Sequence, residues 1–476
     1  MHGALDDTIC AIATPPGEGG IGVLRISGPH AVDIASCIVR LRSGGSLQNM
    51  HSHRMALADV GSQRGARKTG PREEAVICSP IDEALVVVMR KPHSYTGEDV
   101  VEVQCHGGPV VLEQLCRALI SSGARLSQPG EFTKRAFLNG RLDLVQAEAV
   151  LDTIRAKTAH SLTLAQAQRR GELSQEIETT RSALVVALAH IEAALDFAEE
   201  DIAFVRQDEL MRLLNETAAR LGRLVRSGQE GRIWREGAAV AILGRPNVGK
   251  SSLMNALLRS DRAIVTPIPG TTRDILEEVV SIEGIPVRLF DTAGMRLTED
   301  PVEAEGIRRS RLAWEEADLA LILLDGSQPL SQDDRVLLAR PESARALLVI
   351  NKCDLPRRIT KEEITAASPV NAGLIDISAK LQVGLDLLRD AIRNHLTPSR
   401  LESRESVLVT NLRHVEALEQ ALQGVEQAAQ SVQAGRAGEL VAMDLRIAAD
   451  ALGEITGVIT TDEILERIFA EFCVGK

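Results

Sequence analysis

Residues 238–251 read AAVAILGRPNVGKS. The apolar run 238–243 suits a buried strand. It leads without a break into Gly244-Arg245-Pro246-Asn247-Val248-Gly249-Lys250-Ser251, which has the spacing G-x-x-x-x-G-K-[ST], and residues 252–258 then read as a helix beginning at Ser252. Glycines at these positions let successive backbone N–H groups turn inward around phosphate oxygens. Lys250 has the length to reach β- and γ-phosphates, and the Ser251 hydroxyl suits Mg²⁺. The helix that follows points its positive end at the anion. A plain glycine turn between strand and helix is the bland alternative, and three further motifs weigh against it.

Residues 287–290 read as a strand ending in Asp291-Thr292-Ala293-Gly294. A carboxylate there can hold Mg²⁺ through water, and the Gly294 N–H can sense a γ-phosphate. Residues 346–350 form a second apolar run, ending in Asn351-Lys352-Cys353-Asp354. Asp354 can accept from guanine N1 and N2, a pattern adenine does not offer. Residues 374–377 lead into Ser378-Ala379-Lys380, a backing loop for the base. Four motifs in this order, each after a strand, resemble translation-factor-type GTPases and predict a mostly parallel α/β sheet.

Two departures stand out. Ras-like switches carry Gln directly after D-x-x-G, and here that position is Met295, which cannot orient water. Glu299, Asp300, Glu303 and Glu305 lie nearby, each equally readable as a solvated loop charge, and Arg308, Arg309 and Arg311 read as a solvated helix face. The second departure is Asn247. Its oxygen either ligates a monovalent cation beside the phosphates, supplying the charge an arginine finger supplies elsewhere, or only hydrogen-bonds a neighbouring loop. In the first case the loop Thr266-Pro267-Ile268-Pro269-Gly270-Thr271-Thr272-Arg273-Asp274 lies across the site and offers carbonyls to the same ion.

Outward from this core, proline divides the chain: none occurs between Pro129 and Pro246, and none follows Pro398. Both stretches are rich in helix formers. Residues 182–197, SALVVALAHIEAALDF, have helical apolar spacing, as do 412–432 and 440–452. The α/β segment 237–397 therefore reads as inserted into a helical domain. Residues 1–139 form a third region, α+β, with strands expected at 9–13, 21–26, 84–89 and 100–104 and a helix at 109–121. Stretches 41–54 and 61–74 read as loops. The 476 residues carry a net charge of −12, so an RNA partner is not advertised by overall electrostatics and needs a local basic patch or a basic partner protein. No apolar run reaches the ~18 residues of a membrane span. Seven cysteines without a Cys-x-x-Cys pair argue against zinc and a disulfide framework, and for a reducing, cytoplasmic setting.

The ends of the chain carry the most specific likeness. TPPG at 14–17, LRISG at 24–28, SYTGED at 94–99, CHGGP at 105–109, PGEFTKRAFLNGRLDL at 129–144 and FCVGK at 472–476 resemble the MnmE (TrmE) family of tRNA wobble-uridine modification GTPases. The resemblance implies a multidomain α/β protein: an N-terminal tetrahydrofolate-binding and dimerisation domain (1–139), a helical domain in two parts (140–236 and 398–476), and an inserted Ras-like P-loop GTPase domain (237–397). It implies a homodimer that joins an FAD-dependent partner, MnmG (GidA), as a heterotetramer. The complex acts on tRNA, adding a carboxymethylaminomethyl or aminomethyl group at C5 of the wobble uridine. The cofactors implied are GTP, Mg²⁺, K⁺ and a folate, either 5,10-methylene- or 5-formyltetrahydrofolate.

By position, Asn247 and the carbonyls of Thr266, Ile268 and Thr271 match the family's potassium ligands. Ser251 and Thr272 match its magnesium ligands, Glu303 its water-orienting glutamate, and Arg25, Glu102, Arg141 and Lys476 its folate-binding positions. Pro269 stands where Ala is frequent and Val474 where Ile is frequent; both leave the backbone chemistry in place. On its own pattern, Glu102 lies between Val101 and Val103 and so faces away from their side of a strand, where a carboxylate can meet a pterin's N–H groups or simply solvent. Cys473 reads as a thiol or a small buried hydrophobe, and His106 as part of a glycine-rich turn. A regulatory or ribosome-assembly GTPase acting through binding, and a one-carbon transferase acting alone, are the competing functions.

Overall fold

A computed structural model describes residues 7–62, 79–196, 207–260, 278–291, 317–339, 346–368, 373–397 and 409–476. The chain divides into two compact units, Met1–Leu151 with Thr456–Lys476, and Asp152–Ile455.

The first unit is built on a seven-stranded sheet in the order β3-β4-β5-β6-β2-β1-β7. Its strands are β1 (Ile9–Ile12), β2 (Gly19–Ser27), β3 (Val39–Leu41), β4 (Met55–Ser62), β5 (Ser79–Met89), β6 (Val100–Gly107) and β7 (Arg125–Leu126). Neighbours are antiparallel except β1 and β7. Strand side chains alternate between faces. One face (Ile26, Ala58, Val60, Val86, Val103) packs under α1 (Ala31–Ser36) and α2 (Pro109–Ser121). Helix α3 (Glu131–Leu138) follows the β7 edge. Leu144, Ala147 and Leu151 of α4 (Leu144–Arg155) bury against Leu465 and Phe469 of a late helix, Asp462–Ala470, and against Phe472. The α+β expectation holds, with strands β3, β4 and β7 added to those read from sequence. The stretch 41–54 holds a 3-10 turn at Leu47–Asn49, and Gly61 and Ser62 finish β4.

The second unit contains α5 (Ala159–Arg169), α6 (Glu172–Asp196) and α7 (Gln207–Glu236), then a six-stranded sheet ordered β13-β12-β11-β8-β10-β9. These strands are β8 (Ala238–Leu243), β9 (Glu278–Ile282), β10 (Ile285–Asp291), β11 (Leu319–Asp325), β12 (Ala346–Asn351) and β13 (Leu374–Asp376). All pairings are parallel except β9 with β10. Helices α8 (Lys250–Ser260) and α11 (Leu385–Leu396) cover one face; α9 (Gln332–Leu338) and α10 (Lys361–Ala367) cover the other. Val240, Leu321 and Val349 face the first layer while Ala241, Ile322 and Leu348 face the second. Burial on both faces is why these strands read as unbroken apolar runs. Helices α12 (Leu412–Gln433) and α13 (Gly438–Thr456) follow the sheet in sequence, and the late helix of the first unit is α14. Among the described residues no helix is long and apolar enough to cross a membrane.

Candidate functional site

Parallel pairing brings the C-terminal ends of β8, β10, β11 and β12 to one edge of the sheet: Asp291 pairs with Ile242, and Asp325 with Asn351. This is the edge at which open α/β sheets carry ligands. The loop after β8 is shaped by backbone that side chains resist. Gly249 has φ 102°, and a Cβ there would lie 2.3 Å from Asn351 Nδ2. Asn247 is left-handed at φ 63°, a conformation asparagine tolerates better than most, and its side chain is exposed. Lys250 curls over the loop, its Nζ donating to the carbonyls of Gly244 (2.7 Å) and Arg245 (3.0 Å). Val248 is buried, whereas Ser251 and Ser252, at the start of α8, are exposed.

The loop after β12 is clipped to its neighbours by two successive side chains. Buried Asn351 donates from Nδ2 to Val248 O at 2.7 Å and accepts from Ala379 N–H at 3.0 Å. Lys352, left-handed at φ 67°, donates to Asn247 O at 3.1 Å and to Asp325 Oδ2 at 2.7 Å. Cys353 N–H donates to Ile377 O at 3.0 Å. Beyond them Asp354 is exposed, and the Ser378 hydroxyl, aided by Lys380 and Lys352, holds its carboxyl below the ordinary range. A carboxylate acceptor thus stands exposed on the loop after β12, with Lys380 exposed beside it. Thr266, Pro267, Ile268, Pro269, Gly270, Thr271, Thr272, Thr292, Ala293, Gly294 and Glu303 lie outside the described residues.

The first unit gathers a second set of polar groups. Arg25 on β2 and Glu102 on β6 are directly paired in register, and Arg25 Nε donates to Glu102 Oε1 at 2.8 Å. Arg25 Nη1 donates to Gly475 O at 3.2 Å, and its guanidinium lies 5.7 Å from the ring centres of both Tyr95 and Phe132. Residues 473–476 reach this spot through a bridge between Pro129 and Val474 and a hydrogen bond from Gly130 N to Cys473 O. Lys476 therefore sits beside Arg25 and Glu102. Burial, then repulsion from Arg25, pull its ammonium pKa down against the opposing pull of Glu102. Arg141 stands on an exposed turn after α3, its N–H donating to Ala136 O. A carboxylate, two cations and two aromatic rings in one place are a donor set that suits a flat, polyfunctional, anionic ligand.

Sequence reasoning missed Asp325, Tyr95, Phe132 and Gly475 as parts of these sites. Asp325 left one signal: it is the single charged residue ending the apolar run LALILLD.

The MnmE helical domain profile matches residues 144–473, and that of the GTP-binding protein TrmE N-terminus matches residues 8–141. A tRNA modification GTPase MnmE from Geobacter sulfurreducens is 46% identical over 473 residues, 99% of this chain and 100% of that protein. The protein of the same name from Chloroflexus aurantiacus is 45% identical, with the same coverage of both chains. Among solved structures, a variant of Era from Aquifex aeolicus bound to GDP·AlF4⁻ is 25% identical over 39% of this chain and 66% of its own, at a TM-score of 0.27, too low to carry a role across. The two profiles together, and relatives this similar from end to end, lead to one conclusion: the chain belongs to the MnmE family of tRNA modification GTPases, and it is a GTP hydrolase.

Proposed function

We propose that this chain is a potassium-stimulated GTPase. With an FAD-dependent partner of the MnmG kind, it adds a carboxymethylaminomethyl or aminomethyl group at C5 of the tRNA wobble uridine, using a folate one-carbon unit. The observation that carries this is the pairing of Arg25, Glu102 and Lys476 in a unit separate from the nucleotide loops. A GTPase acting only as a binding switch has no use for such a cluster.

In this reading the N–H groups of Val248, Gly249, Lys250, Ser251 and Ser252 surround the phosphates. Asp354 accepts from guanine, while Asn351, Lys352, Ser378, Ala379 and Lys380 frame the base. Ser251 and Thr272 hold Mg²⁺, with Asp291 acting through water. Asn247 and the carbonyls of Thr266, Ile268 and Thr271 hold K⁺. Glu303 aligns the attacking water in place of the missing glutamine. Arg25, Glu102, Arg141 and Lys476 hold 5,10-methylene- or 5-formyltetrahydrofolate. When bound, the metal ions supply positive charge against the phosphate oxygens and the folate supplies the transferred carbon. Residues 1–139 also pair two copies of the chain into a homodimer that assembles with its partner as a heterotetramer in the cytoplasm.

Nucleoside analysis of tRNA from cells lacking the gene tests this. The C5-modified wobble uridine should disappear, return with the wild-type chain, and stay absent with Glu102→Gln. Full modification without the chain would exclude the proposal.

A further inference from the structure

Asp325 closes β11 as its one charged residue and is 5% exposed. Burying a carboxylate is costly unless it is paired. Oδ1 accepts from Ser327 N (3.0 Å) and Ser327 Oγ (2.6 Å), and Oδ2 accepts from Lys352 Nζ (2.7 Å). The same ammonium donates to Asn247 O at 3.1 Å. Asp325, Lys352 and Asn247 therefore form one chain of charge-assisted contacts from β11 through the loop after β12 to the loop after β8. Two of its members hold left-handed backbone: Asn247 (φ 63°), which asparagine tolerates, and Lys352 (φ 67°), which lysine does not readily adopt. Strained conformations persist where surrounding contacts over-determine them. By itself such an ion pair is weak evidence for stability, because apolar residues often replace a buried one without loss, and the Lys352 side chain here is still 30% exposed. What the charge adds is a fixed position for the ammonium.

We propose that Asp325 is a positioning residue for guanine-nucleotide binding. It holds Lys352 against the Asn247 carbonyl, and so locks the phosphate loop to the guanine loop at the spacing a nucleotide requires. The proposal rests on the reading of these loops as the nucleotide site.

The test uses the full chain. Release of a fluorescent GDP is timed for wild type, Asp325→Asn, Lys352→Met and the double variant, and thermal unfolding of each is followed without nucleotide. Asp325→Asn should speed release by about tenfold or more, the scale of one charged hydrogen bond. Lys352→Met should do at least as much. If Asp325 acts through Lys352, adding Asp325→Asn to Lys352→Met should change release by less than about twofold. Lys352→Met alone strands a buried carboxylate, so the double variant should unfold at a higher temperature than Lys352→Met. That comparison decides the matter even if Asp325→Asn alone folds poorly. Wild-type release from Asp325→Asn, an equal speeding in both backgrounds, or a double variant less stable than Lys352→Met would each overturn the proposal. Wild-type release from Lys352→Met would instead overturn the site assignment on which it rests.

Discussion

Asn351 and Lys352 are adjacent in sequence and both grip the loop after β8, through Val248 O and Asn247 O. Asn351 also accepts from Ala379 N–H and Lys352 also donates to Asp325, so the loop that carries the acceptor two residues on is fixed by contacts within the protein. Asp354 is left exposed, with its carboxyl held charged by Ser378. Asp354→Asn should therefore weaken GDP binding by about 10²-fold or more, since two hydrogen bonds to a charged acceptor are lost, and should favour xanthine over guanine diphosphate. Competition titration against a fluorescent GDP measures both, and an unchanged base preference would remove Asp354 from the role. Asn247 makes the second case. If its exposed side chain ligates potassium, wild-type turnover should be much faster in potassium than in sodium at matched ionic strength, and Asn247→Ala should lose most of that difference. Asn247→Gly, which relieves the left-handed backbone, should lose it equally. Rates that are the same in both salts for the wild type would end the cation reading. The motifs containing these residues were plain in the sequence because nucleotide chemistry fixes their spacing. Asp325 was not, because its meaning lies in a contact 27 positions away.

Elements buried on both faces announce themselves, and elements buried on one face do so only when the larger side chains point inward. Strand β8 is apolar throughout and was read directly. Strand β4 buries the small Ala58 and Val60 and turns Met55 and Leu57 outward, so its pattern is inverted and it escaped notice. The long helix α7 hides a similar distinction among its glycines. A Cβ on Gly231 would lie 1.8 Å from Val409 O, whereas one on Gly222 would meet only the Arg226 side-chain tip at 3.5 Å. Gly231→Ala should destabilise the second unit by about 1–3 kcal/mol, the usual cost of overpacking. Gly222→Ala should stabilise it by up to about 1 kcal/mol, because alanine is the better helix former. Urea unfolding followed by circular dichroism separates the two, and equal shifts for both would mean that α7 does not approach the segment at Val409 so closely.

At the scale of the whole molecule, composition placed residues 398–476 together as helix formers, while residues 456–476 pack with residues 1–151. Helix propensity reports what a segment forms, not what it packs against, and the return of the tail had no local signature except its glycine. Gly475 has φ 96°, and a Cβ there would lie 2.6 Å from Ile12 O, so only glycine lets the tail lie this close to β1. Its carbonyl is the one that Arg25 grips, and the next residue is Lys476. Gly475→Ala should thus push the tail away and disperse the cluster without touching the nucleotide loops, which belong to the other compact unit. The expected result is a loss of 5-formyltetrahydrofolate affinity of about tenfold or more, as for a charged hydrogen bond removed, with GDP release unchanged. Val474→Ala, at a half-exposed side chain, should bind folate nearly as the wild type does. Isothermal titration of the three proteins reads the affinity. If Gly475→Ala binds as tightly as wild type, Arg25 and Glu102 hold the ligand without the tail, and Lys476 has no part in it.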